Sequence, residues 1–144
     1  MSADTPCKIS RLELGVLSTA EAIGEVRRAV EAYAGQCGLD EKAVADMGLC
    51  VNEAMANIIR HAYKDATDGR IEIVAQQQAG KLCISLRDWG TGVNPAALPP
   101  KPYDPAEPGG VGLICIRTLM DKVQYIPQTD GMLLVMWKDG RVRP

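Results

Sequence analysis

From Ser18 to Ala62 the apolar residues recur every three or four positions, and from Ile71 onward they recur every second position, so a helical half precedes a stranded half. Ile23, Val26, Val30, Tyr33 and Cys37 hold the helical spacing, and Ser18-Thr19-Ala20-Glu21 ahead of them fits a capping box with Ser18 as the N-cap. Gly35 or Gly38 ends this helix. Asp40 can cap a second one, whose stripe of Val44, Met47, Val51, Ala54, Ile58 and Ala62 predicts the longest helix of the chain, ending before Asp68-Gly69. A strand precedes them, from the weaker alternation of residues 7–16. Ile71, Ile73 and Ala75, then Leu82, Ile84 and Leu86 beyond Ala79-Gly80, predict an antiparallel hairpin. Residues 94–108 contain six of the nine prolines, which neither a helix nor an inner strand tolerates, so a long loop is expected there. Gly109-Gly110-Val111-Gly112 opens an apolar helix to about Met120. A strand near residues 123–126, a turn at Asp130-Gly131 and a buried strand over 132–137 close the chain. The order predicts one α+β domain over residues 1–144. It is a two-layer α/β sandwich, with a mixed sheet of about five strands covered on one face by three helices.

Composition narrows the function more than the fold. With 144 residues, 47% hydrophobic and 24% charged, the chain suits a single globular domain. No apolar run approaches the roughly 20 residues of a membrane span, and the start MSADTPCK has no apolar secretory core, so a cytoplasmic protein without a membrane partner is expected. Sixteen basic against eighteen acidic residues, with no Lys or Arg run beyond two, argue against nucleic acid. Five scattered cysteines and one histidine support neither a disulfide framework nor a zinc site.

Three groups of residues carry candidate chemistry. Gly109, Gly110 and Gly112 allow a backbone to approach a phosphate ahead of a helix N-terminus, although a hinge without a ligand has the same composition, and no P-loop or dinucleotide fingerprint is present. Asp88, Gly90 and Gly92 end a strand. A carboxylate there can accept from an exocyclic amine while the glycines clear room for a flat ring, and a plain Asp-Gly turn is the alternative. Glu53, Asn57 and His61 lie four apart on one helical face. That spacing is often only a solvated stripe, but a carboxylate with an amide also suits a hydrated Mg2+ beside phosphates.

In chain order the three groups resemble a known family. Glu53 to Asn57 with Ile58-Ile59-Arg60-His61-Ala62-Tyr63 resembles the N-box of the Bergerat (GHKL) ATP-binding fold. Asp88-Trp89-Gly90-Thr91-Gly92 and Gly109-Gly110-Val111-Gly112-Leu113 resemble its two glycine boxes. The wording EAMANIIRHAY and GGVGLICIRTLMDKV is most similar to the anti-sigma-factor serine kinases of bacterial partner switching. The resemblance implies ATP on the sheet under a proline-rich lid at about 93–110, with Mg2+ held by Asn57 and Glu53 as the base for an incoming serine hydroxyl. It further implies Asp88 on the adenine amine, Gly90 and Gly92 at the ring, and Gly109, Gly110, Gly112 and Leu113 at the phosphates. His61 follows the N-box in the matching place, where a packing or helix-polar role is expected. The implied partners are a sigma factor and a STAS-type anti-sigma-factor antagonist, and a homodimer is compatible with them. The chain departs from the family pattern in one respect: Met132 and Leu133 follow Gly131 where threonine is usual, and Thr129 lies before the turn.

Two other functions compete with the kinase. A regulatory switch would bind ATP and sequester a partner without phosphoryl transfer; Glu53 argues for transfer, and the missing threonine argues for the switch. The catalytic domain of a histidine kinase would need a phosphoacceptor histidine on a dimerising hairpin, and the one histidine, His61, lies on the N-box helix.

Overall fold

Two capped helices separate the first strand from the second, and that even number decides the sense of the sheet. The computed structural model describes residues 11–78, 80–91 and 116–139. β1 (Arg11–Leu17) runs to one edge of the sheet, α1 (Ala20–Gln36) returns, α2 (Glu41–Asn57) comes back, and β2 (Arg70–Gln78) therefore starts beside the end of β1. β3 (Lys81–Asp88), β4 (Lys122–Pro127) and β5 (Met132–Asp139) complete a five-stranded sheet of order β1-β2-β3-β5-β4. Every ladder is antiparallel. The expected mixed sheet is thus corrected: β3 and β4 share a direction, but β5 lies between them and pairs antiparallel with both.

The caps explain where the helices begin. Thr19, not Ser18, is the N-cap of α1, its hydroxyl accepting from Ala22 N at 3.3 Å. Ser18 is buried and tied across the fold: its hydroxyl donates to Ala66 O at 2.5 Å and accepts from Gly69 N at 2.9 Å. Local spacing could not distinguish these hydroxyls, because the partner of Ser18 is about fifty residues away. Asp40 caps α2 as expected, accepting from Ala43 N at 2.8 Å.

One face of the sheet carries the helices. Ile71, Ile73 and Ala75 of β2, Leu82, Ile84 and Leu86 of β3, and Leu134 and Met136 of β5 are buried against Val26, Val30 and Tyr33 of α1 and Met47, Val51, Ala54 and Met55 of α2. Residues 116–119 are helical and bring Ile116 into the same core. Each such aliphatic or Met side chain contributes about 1.5–3 kcal/mol by leaving water, enough in sum to hold the two layers together. No helix among the described residues is long and apolar enough to cross a membrane.

The strand ends Leu17, Asp88 and Pro127 and the strand starts Arg70 and Met132 line one end of the sheet, since the registers pair Leu17 with Arg70, Ile71 with Asp88, and Met132 with both Asp88 and Pro127. The C-terminus of α2 arrives at the same end.

Candidate functional site

Alternation along β3 continues one residue past its apolar row. Leu82, Ile84, Leu86 and Asp88 share the buried face, so a carboxylate ends a line of aliphatics and is only 4% exposed. Burial pushes its carboxyl above the ordinary value of 3.8, against the backbone N–H of Gly90, the Arg87 guanidinium and the backbone N–H of Met132, all of which favour the charged form. Gly90 N donates to Oδ1 at 3.0 Å.

The long helix expected up to Asp68 does not stay α-helical. After Asn57 it widens into a π-turn, Ile58–Ala62, closed by Tyr63 N on Ile58 O at 3.1 Å and followed by Asp65 N on Ile59 O at 2.9 Å. Lys64 and Asp65 then adopt left-handed φ of 50° and 66° and lead the chain off the helix. The last carbonyls of a helix lack helical partners, and here Ala62 O accepts from Thr91 N at 3.1 Å. That bond draws the Asp88–Thr91 segment onto the π-turn so closely that a β-carbon at Gly90 would lie 2.3 Å from Ala62 O. Gly90 is therefore needed for backbone approach, a requirement the sequence did not show. Tyr63 adds a second tie: its hydroxyl accepts from Trp89 N at 2.8 Å and donates to Arg70 O. Burial pushes its phenol upward, so it keeps the proton that this bond needs.

Between these pieces lies a cleft. Ala54, Asn57, Ile58, His61 and Ala62 form the helix wall, Asp88 and Gly90 the β3 end, and Tyr125, Gly131, Met132 and Leu134 the opposite side. Its polar groups are few and convergent, as in sites for a flat, partly apolar ligand. Asn57 and Asp88, 31 positions apart in sequence, come together on one cavity. His61, for which a packing or helix-polar role was expected, is exposed and lines the cleft with Asn57. Glu53 is half-buried one turn before Asn57 and is not among the lining residues. Gly92, Gly109, Gly110, Gly112, Leu113 and the lid at 93–110 lie outside the described residues. Thr129 is exposed and does not line the cleft, whereas Met132 does.

Sequence reasoning missed Tyr63, Ala62, Arg87 and the backbone of Met132. Tyr63 stood at the helix end as an amphipathic ring, which was a signal. A carbonyl and an amide carry no residue-type signal at all.

A small antiparallel sheet under two capped helices, with a buried aspartate and an asparagine lining one cleft, has the architecture of a Bergerat-type ATPase domain. Residues 16–138 match the family model described as a histidine kinase-like ATPase domain. The serine-protein kinase RsbW of Bacillus mycoides (strain KBAB4) is 33% identical over 139 residues, spanning 91% of this chain and 86% of its own. The same-named protein of Bacillus cereus (strain G9842) is 32% identical with the same coverage. Among solved structures, the RsbU and RsbW domains of Rv1364c from Mycobacterium tuberculosis superpose with a TM-score of 0.68 at 19% identity, over 90% of this chain and 32% of that longer one. The histidine kinase domain from Erythrobacter litoralis EL346 superposes with 0.57 at 16% identity, over 83% and 60% of the two chains. The chain belongs to the histidine kinase-like ATPase domain family, among the anti-sigma serine-protein kinases of that superfamily. It is accordingly a serine/threonine protein kinase that uses ATP.

Proposed function

We propose that this kinase transfers the γ-phosphoryl group of ATP to a serine of a STAS-type anti-sigma-factor antagonist and, with ATP bound, also sequesters a sigma factor. The observation that carries this reading is the cleft lined by both Asn57 and the buried Asp88. Asp88 accepts from the adenine amine, most strongly as the ionised carboxylate. Ala54, Ile58 and Leu134 offer apolar surface to the ring. By the family resemblance Gly90 and Gly92 are assigned to the ring, and Gly109, Gly110, Gly112 and Leu113 to the phosphates.

Asn57 fits Mg2+ as one amide oxygen among phosphate and water ligands, a donor set this cation prefers to a full protein cage. When bound, the cation neutralises charge on the transferring phosphoryl group. Glu53, one turn away and partly solvated, takes the proton of the serine hydroxyl as its oxygen forms the new bond to phosphorus; the bond from phosphorus to the β–γ bridging oxygen breaks, and ADP leaves. The protein works in the cytoplasm with protein partners, without nucleic acid or membrane. A homodimer fits the helix-free sheet face, where Leu17 is 53% and Ile126 39% exposed, and light scattering reads the oligomeric state.

The test is incubation of the chain with ATP, Mg2+ and the antagonist encoded nearby, with phosphoserine located by mass spectrometry. Phosphate on one antagonist serine is expected. ATP-dependent capture of a sigma factor with no transfer to the antagonist would replace the kinase reading with that of a binding switch.

A further inference from the structure

The β4–β5 turn sits directly on the backbone of Asp88, and one side chain holds it there. Arg87 lies on the opposite face of β3 from Asp88, and its side chain is only 18% exposed. Its Nη1 donates to Asp88 O and, at 2.8 Å, to Asp130 O, while Nη2 lies 3.4 Å from Asp130 Oδ1. Trp89 supports the guanidinium from one side, 4.4 Å from its ring centre. Between the bridged carbonyls lies Gly131, at φ +98°, where a β-carbon would be 2.0 Å from Asp88 O and 2.7 Å from Arg87 Nη1. The next residue is Met132, paired in register with Asp88 and contributing a backbone N–H that favours the charged carboxylate.

We propose that Arg87 is a positioning residue for nucleotide selectivity, clamping the Asp130-Gly131 turn onto Asp88 so that the Met132 backbone amide, in place of the threonine hydroxyl usual in the family, fixes the carboxylate toward the base. The inference rests on Asp88 as the acceptor of the adenine amine. A carboxylate free to rotate loses directional preference for that amine. One held by Gly90 N and Met132 N presents its remaining lone pairs in a fixed direction. A guanidinium suits the clamp because Nη1 serves both carbonyls while Nη2 turns to the Asp130 carboxylate and the flat group packs on Trp89, a planar shape that an ammonium lacks.

The test compares ATP with purine riboside triphosphate, which lacks the exocyclic amine, by calorimetric titration of wild type, Arg87→Met, Arg87→Lys and Asp88→Asn, with thermal unfolding of each as the control on folding. Wild type should prefer ATP by about tenfold or more, Arg87→Lys by less, and Arg87→Met by about threefold or less. In the Asp88→Asn background, Arg87→Met should change the ratio no further, because both substitutions act on one interaction. A merely structural Arg87 would weaken both nucleotides alike and leave the ratio at its wild-type value, which overturns the inference. Additive effects in the double variant overturn it too, as does an Arg87→Met chain too unstable to titrate paired with an Arg87→Lys chain that keeps the full wild-type ratio. Absence of any preference in wild type would instead remove the assignment of Asp88 itself.

Discussion

At one end of the cleft the geometry is set by backbone meeting backbone, and at the other by side chains standing on a helix. Around Asp88, Gly90 is pressed on the Ala62 carbonyl, Gly131 on the Asp88 carbonyl, and Thr91 N on Ala62 O. Along α2, Glu53 and Asn57 are half-buried side chains with no such confinement. The end assigned to the adenine is rigid and tolerates no added atoms, so it selects the ligand. The end assigned to the phosphates can change its chemistry without touching the fold. Binding and catalysis should therefore separate by mutation.

The sharpest break of the rigid end is Gly131→Val. A β-branched residue cannot adopt φ +98° without strain, and its β-carbon would meet Asp88 O, so the chain should lose about 3 kcal/mol of stability and its ATP affinity together. Denaturant unfolding and titration of the same sample check this. A stable variant with normal ATP affinity would mean that the close approach is not needed.

Next in size is Asp88→Asn. Guanine turns a carbonyl toward the carboxylate, at a cost of about 1–3 kcal/mol, so wild type should prefer ATP to GTP clearly and the variant much less. Acid should mimic the variant. The Asp88 carboxyl, raised by burial, binds its proton more tightly folded than unfolded, so it favours the folded state in acid, and that contribution fades as pH rises from the ordinary 3.8 through the higher folded value. The ionised carboxylate is the stronger acceptor, so the advantage of ATP over purine riboside triphosphate should fall as pH drops through that same window. In Asp88→Asn the advantage should show no such dependence.

At the helix end, Asn57→Ala should remove the Mg2+-dependent part of ATP affinity, about tenfold or ~1.4 kcal/mol, and leave folding nearly unchanged. Unaltered Mg2+ response would detach the cation from this residue. Smallest is Thr19→Ala, outside the cleft lining, which should cost about 1 kcal/mol of stability through the lost cap and leave nucleotide binding as it was.

The same division explains what could be read before the structure. The hairpin of Ile71, Ile73 and Ala75 with Leu82, Ile84 and Leu86, the Asp40 cap and the buried last strand were legible because each rests on local periodicity or a residue-type preference. Asp88 and Asn57 were legible as residue types in boxes. The π-turn, the Ser18 tie to Ala66 and Gly69, and the reason for Gly90 were not, since each is decided by a backbone group arriving from a distant segment.

The most direct measurement of this division is made on Glu53→Gln, with ATP affinity and the rate of phosphate transfer to the antagonist serine read side by side. The substitution keeps size and one acceptor oxygen but removes the base, so affinity should stay within about threefold of wild type while transfer falls about 100- to 10,000-fold. Transfer at the wild-type rate, or a parallel loss of affinity, would contradict the separation of a selecting end from a reacting end.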